Sequence, residues 1–221
     1  VTDPKKGPPS GTLVARRMNP LLRISVPFVL ASQSPRRRAL LEHIGVAFEA
    51  TTSPADEALS APQPPRTAVQ TLAQRKVRPV AESRPAALVL AADTVVSHDG
   101  KILTKPGDAA HAVSMLRRLS GAPHTVHTGI ALAHAATHRE VTAVDDTTVE
   151  LASLSDAEIR AYVDSGSPMD KAGGYGIQDH TAPFFVERLD GDYFNVVGLP
   201  LRRLYRTLQE SFSDLLDEIA E

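Results

Sequence analysis

The stretch from Ala87 to Pro106, ALVLAADTVVSHDGKILTKP, limits the fold more than any other part of the 221-residue chain. Its first half is a continuous apolar run of the kind shown by a strand buried on both faces. Its second half, VVSHDGKIL, carries Asp99-Gly100, a pair suited to the positive φ angles of a two-residue hairpin turn. On either side, patterns of strand period and helix period alternate, so the chain reads as mixed α/β in one compact unit.

Upstream, PFVLAS (27–32) is a short apolar strand, and 35–44 is a helix with Leu40, Leu41 and Ile44 on one face and Gly45 as its stop. VAFEATT (46–52) alternates like a strand, 53–65 holds four prolines and reads as a loop, and 66–83 reads as a helix that Pro79 ends or kinks. Downstream come a helix over 108–119 and strands over 124–134 and 140–151. A Ser155–Glu158 capping box opens a helix to about Val163. A glycine-rich loop, two short strands near 184–189 and 193–197, and a C-terminal helix from Pro200 complete the chain. Exposed apolar positions on that last helix make a homodimer a candidate assembly. Residues 1–25, rich in proline, glycine and charge, are expected to form a disordered tail, with Met18 a candidate initiator, ahead of a single domain over 26–221.

Composition removes whole classes of function. With 24 basic and 26 acidic residues there is no global positive field for nucleic acid. Aromatics are 5% and tryptophan is absent, which leaves no stacking platform for single strands. No apolar run approaches the roughly eighteen residues of a membrane span. The absence of cysteine excludes disulfides, thiolate nucleophiles and cysteine-bound zinc or iron–sulfur clusters, and fits a cytoplasmic protein. The eight histidines match no zinc signature, no Gly-x-Ser-x-Gly elbow is present, and Ser–His–Asp candidates have no recognisable framework. Hard oxygen ligands remain, which points to magnesium or a similar ion.

Three polar clusters are expected at strand ends, where open α/β sheets bind ligands. In SQSPRRRALLEHIG (32–45), Ser34 is an N-cap and Pro35 the first helical residue, yet Arg36, Arg37 and Arg38 fill the first turn, the positive end of the helix dipole. Ser32, Ser34, Arg36 and Arg37 make an anion site suited to phosphate, and Arg38 reads as solvated surface. If the first two arginines have no partner in the empty protein, Arg37→Ala leaves stability unchanged or slightly raised. In LAADT (90–94), Asp93 follows a buried run and must be paired, protonated or metal-bound, with Thr94 beside it and Lys105 returning from LTKP (103–106). In DKAGGYGIQ (170–178), three glycines allow close approach to a ligand but fit neither phosphate-loop fingerprint.

These strings, in this order, resemble the Maf family of nucleoside triphosphate pyrophosphatases from about Phe28 to Leu208. LASQSPRR, DE at 56–57, RK at 75–76, ADT, KP, LSG at 119–121, HTVHTG, DKAGGYGIQ and NVVGLPL carry the resemblance together. The ending Ile177-Gln178 resembles the subfamily that prefers dTTP and UTP. One departure is Ala91-Ala92, where a glycine often precedes the acid. The resemblance implies an elongated central mixed sheet flanked by helices, two lobes around a cleft, similar to inosine-triphosphate pyrophosphatases. It implies hydrolysis of the triphosphate to monophosphate and pyrophosphate with a divalent cation, Mg2+ or Mn2+, by water attack at the α-phosphate. By position, Asp93 matches the proton acceptor, and Glu57 with Asp93 the acidic pair for metal and water. Arg36, Arg37, Lys76 and Lys105 match the triphosphate contacts, and Arg36, Thr94 and Gln178 positions of substrate preference. A competing class is a non-catalytic nucleotide-binding regulator of septum formation.

Overall fold

The computed structural model describes residues 19–58 and 61–218 of the chain. The 87–106 stretch forms a long strand, β3 (Leu88–His98), and its hairpin partner, β4 (Lys101–Leu103). The turn takes the expected form, with φ of 49° at Asp99 and 69° at Gly100. Around β3 one mixed sheet assembles from β1 (Phe28–Ala31), β2 (Glu49–Thr51), β5 (Pro123–His134), β6 (Arg139–Leu151) and β7 (Val186–Asp190). Its order is β2-β1-β3-β5-β6-β7, with β4 also paired to β3. β1 runs parallel to β2 and β3, and the other pairings are antiparallel.

The two edges of β3 differ. β5 pairs with it from Val89 to Ser97 without a break. On the opposite edge β1 reaches only Leu90, and β4 begins only at Val96. Residues 91 to 95 therefore have no strand beside them on that edge, and Asp93 and Thr94 stand in the gap. The period-2 alternation of the strand then sorts its side chains. Leu88, Leu90 and Ala92 join one core with α1 (Pro35–His43) and α7 (Leu201–Ser211), whereas Val96 joins a second core with α3 (Ala109–Leu119) and α4 (Asp156–Asp164). Thr94 falls between these two cores. On the other face Val89 and Ala91 pack against Ala73 and Val77 of α2 (Pro65–Ser83).

α2 lies unusually close to β5. A Cβ on Gly129 would sit 2.6 Å from the Val69 carbonyl oxygen, so only glycine admits the helix backbone there. Gly129 is paired with Asp93 in the sheet register, and the same close approach sets Lys76 of α2 over Asp93.

Several expectations are corrected. α2 runs through Pro79 to Ser83 unbroken, because Val77, Val80 and Ala81 are buried on either side of it and their packing outweighs the lost backbone bond. Residues 193–197 are a helix, α6 (Tyr193–Val197), and not a strand: the Asp192 side chain caps it by accepting from Phe194 N–H at 2.8 Å, and Gly198 ends it with φ of 120°. The strand expected at 184–189 is β7, and Phe184 belongs to the short helix α5 (Ala182–Phe185). β2 keeps only three residues of the 46–52 run. Leu204 and Leu208 of α7 are buried, with Leu201 and Tyr205 packed against the same core, so the exposed apolar row expected on that helix is absent. Of the expected tail, residues 1–18 lie outside the described residues. Residues 19–25 are tied down: Leu22 is buried, Ile24 bridges Leu216, and the Asn19 amide donates to the Ile44 carbonyl at 2.8 Å.

Gly129→Ala is expected to lower stability by about 2 kcal/mol, the scale of an overpacked core, read as a lower urea midpoint at unchanged slope.

Candidate active site

The gap beside β3 opens into a cavity of about 720 Å3. All ten residues singled out from the sequence line it: Ser32, Ser34, Arg36, Arg37, Glu57, Lys76, Asp93, Thr94, Lys105 and Gln178. They come from the β1–α1 junction, the loop before α2, α2 itself, the middle of β3, the loop after β4 and the glycine-rich segment. Asp93 is not at a strand end, as expected, but mid-strand, because the hairpin at Asp99-Gly100 carries β3 on past it.

At the start of α1, Ser34 caps the helix by accepting from Arg37 N–H at 3.4 Å, and Ser32 Oγ accepts from Ser34 N–H at 3.2 Å. Neither of the two arginines is without a partner. Arg36 reaches across the cavity to Asp170, with its NH1 group 2.7 Å from Oδ2. Arg37 turns inward: Nε donates to the Gly198 carbonyl at 2.8 Å, one terminal nitrogen to Thr94 Oγ1 at 3.1 Å and the other to Ser32 Oγ at 3.3 Å. Thr94 is held in turn by Thr128 at 2.9 Å. Burial lowers the Arg37 pKa, the nearby Asp93 carboxylate opposing and Arg36 adding to the fall, but a guanidinium keeps its charge. The first-turn cations are thus relieved inside the empty protein, which the sequence did not show. Arg38 is exposed, as expected.

The same cavity is lined by an ammonium shared by two carboxylates. Lys76 Nζ lies 2.6 Å from Asp93 Oδ1 and 3.1 Å from Glu57 Oε1. Lys76 and Asp93 side chains are only 10% and 13% exposed, whereas Glu57 is 69% exposed. Lys105 is exposed and makes no ion pair among the described residues. Gln178 is also exposed, and its amide has no hydrogen-bond partner among them.

Sequence reasoning gave no role to Asp170, Lys171 or Tyr175, which also line the cavity. Arg36 and Lys171 draw the Asp170 pKa down to about 2 against the burial that would raise it. The Tyr175 hydroxyl lies 2.7 Å from His124 Nε2 on β5, and burial lowers that histidine to about 4, so it is neutral at pH 7. Outside the cavity, Ser97, His127 and Asp146 do form a line across β3, β5 and β6, with His127 2.8 Å from Ser97 and 2.7 Å from Asp146, and Arg66 closing on Asp146. These contacts tie the start of α2 to the sheet.

Among the described residues no group of three or more histidine or acidic side chains forms a metal cage. Glu57 and Asp93 each spend one oxygen on Lys76 Nζ, which leaves Glu57 Oε2 and Asp93 Oδ2 as two further hard oxygen donors. That set fits an ion such as Mg2+, which takes one or two carboxylates and fills its remaining positions with phosphate oxygens and water.

The family model described as Maf-like protein matches residues 27–211. The chain belongs to this family. The dTTP/UTP pyrophosphatase of Salinibacter ruber is 69% identical over 200 residues, 90% of this chain and 98% of its own. Those of Bacillus cytotoxicus and Symbiobacterium thermophilum are 45% and 46% identical, over 83% and 82% of this chain and 94% and 92% of theirs. Among solved structures, the Staphylococcus aureus Ham1 protein overlaps 57% of this chain and 72% of its own, at 12% identity and a TM-score of 0.40. No helix among the described residues of this Maf-like chain is long and apolar enough to cross a membrane.

The hydrogen bonds of Arg37 reverse the expectation drawn from the sequence. Arg37→Ala is expected to lower stability by about 1–3 kcal/mol in chemical denaturation, because it strips partners from the Gly198 carbonyl and Thr94 in a closed site.

Proposed function

We propose that this chain hydrolyses dTTP and UTP to the nucleoside monophosphate and pyrophosphate. One observation carries the reading: cations from α1 and two carboxylates on a shared ammonium line one cavity of about 720 Å3. Close relatives named for this reaction give the substrate class.

Arg36, Arg37 and Lys105 bind the phosphate oxygens and stabilise charge that develops on the leaving pyrophosphate. Asp93 accepts the proton of the attacking water. Lys76 orients that carboxylate and Glu57 together. The site's own charges nearly cancel: Arg36, Arg37, Lys76, Lys105 and Lys171 give five positive, Glu57, Asp93, Asp170 and Asp179 four negative, a difference of one. A triphosphate therefore needs a counter-ion from elsewhere. Glu57 and Asp93 are the residues that would hold Mg2+ or Mn2+, which supplies Lewis-acid neutralisation of phosphate oxygens when bound. Gln178, an unpartnered amide, reads donors and acceptors on the pyrimidine edge. The chain acts on free nucleotides in the cytoplasm and does not require nucleic acid or membrane for the chemistry.

A pyrophosphate-release assay with magnesium across a nucleotide panel tests the reading. UTP and dTTP are expected to lead the panel, and Asp93→Asn to cut kcat by about 100-fold or more. Full activity in Asp93→Asn would remove Asp93 from the chemistry. No pyrophosphate from any nucleotide would favour a binding protein instead.

A further inference from the structure

The segment carrying Gln178 is held by contacts that the cavity chemistry does not use. Residues 176–179 form a reverse turn in which Asp179 N–H donates to the Gly176 carbonyl at 3.1 Å. Ile177 and Gln178 occupy its two central positions. Both ends of this turn meet one side-chain atom. The Tyr162 hydroxyl oxygen accepts from Gly176 N–H at 3.1 Å, and the same hydroxyl donates to Asp179 Oδ2. A phenol can do both at once, having one proton and lone pairs to spare. Ser167 Oγ donates to that carboxylate oxygen at 2.6 Å, and Lys171 Nζ lies 3.6 Å from it.

The anchor is rigid on its far side. Tyr162 belongs to α4 and is buried in the second core, where its ring meets Phe185 edge-on at a centroid distance of 5.0 Å. Burial and the Asp179 carboxylate raise its pKa, so the hydroxyl keeps its proton. The turn is equally tight on its near side. A Cβ on Gly176 would come within 2.5 Å of Lys171 Cε and 2.7 Å of Asp179 Oδ1. Lys171 is not free to yield, since its Nζ is held by the Ser167 carbonyl at 2.5 Å and Asp170 Oδ1 at 2.8 Å.

Tyr162 is buried beneath the turn and is not among the cavity-lining residues, and its hydroxyl is taken up by Gly176 and Asp179. We infer that Tyr162 is a positioning residue for substrate selection: its hydroxyl fastens both ends of the 176–179 turn and so fixes the Gln178 amide against the pyrimidine base. An amide discriminates between bases only while the backbone that carries it stays at a fixed place against the base, and a turn pinned at one end would let that place shift. The inference rests on the reading of Gln178 as the base-contacting side chain.

Tyr162→Phe removes one oxygen and keeps the ring and its contact with Phe185. The measurement is kcat/KM for UTP and for CTP, with Gln178→Ala alongside and thermal unfolding as a control. In Tyr162→Phe the UTP-to-CTP preference is expected to fall about tenfold, through a higher KM for UTP at little-changed kcat. Asp179→Asn, which retains an acceptor for the hydroxyl, is expected to keep more of the preference than Asp179→Ala. A lower melting temperature in Tyr162→Phe with the preference intact would overturn the inference. Preference lost in Gln178→Ala but kept in Tyr162→Phe would overturn it while sparing the base-reading amide. Preference kept in both variants would overturn both. An unaltered protein that releases no pyrophosphate would overturn the functional reading itself, and the clamp's role in selection with it.

Discussion

Lys76 and Asp93, 2.6 Å apart and almost enclosed, form the contact around which the cavity is organised. Removing both charges from water is costly, and their mutual attraction offsets that cost only with good geometry. The geometry comes from neutral atoms. Gly129 lets the backbone of α2 settle onto β5, which places Lys76 directly over the strand, and the gap between β1 and β4 leaves the Asp93 position open to the cavity. Glu57 then adds a second carboxylate to the same ammonium from an exposed loop. Weakening the packing of α2 would therefore disturb the acidic pair without touching either acid.

The interrupted edge of β3 also explains why two cores share one face of the sheet. Where β1 lies alongside, the inward residues are Leu88 and Leu90, with Ala92 just past its end; where β4 takes over, the inward residue is Val96. Between them Thr94 is polar, and it is satisfied by Thr128 and by Arg37. A leucine at that position would join the cores and leave the Arg37 guanidinium with one fewer partner. The cleft is thus a consequence of where two short strands stop, and a single polar residue keeps it from filling.

Much of this was legible in the sequence, for physical reasons that differ by element. The β3–β4 hairpin and the Ser34 and Ser155 caps are local patterns, set by residues within a few positions of one another. The ten cavity residues could be named because they sit in short strings that resemble a family in their order. What could not be read was pairing over distance. Arg36 and Asp170 are separated by 134 positions, so the first-turn cations looked unrelieved when they were not. Local propensity also misled where packing decided. Pro79 should stop a helix but is carried by buried neighbours, and the apolar run at 193–197 is too short for periodicity to tell helix from strand until its cap is seen. Leu22 sits in a stretch whose composition suggests disorder, and one buried side chain with a few backbone bonds was enough to anchor it.

The two arginines at the head of α1 are now distinguishable by what they hold. Arg37 is bound to a carbonyl and two hydroxyls, all neutral, so its positive charge is oriented but not cancelled. Arg36 is bound to a carboxylate that is itself shared with Lys171, so its charge is only partly offset in the empty site. In the proposed reading, an incoming phosphate meets the two N–H groups of Arg37 that these bonds leave over, but must displace Asp170 from Arg36. That exposed ion pair is worth about 1 kcal/mol or less, whereas a guanidinium–phosphate pair is among the stronger charge-assisted contacts, so the exchange runs toward substrate. Asp170 is then left to Lys171, at the base of the same segment that presents Gln178. In the proposed reading, phosphate and base therefore act on a single connected set of side chains, from Arg36 through Asp170 and Lys171 to Asp179.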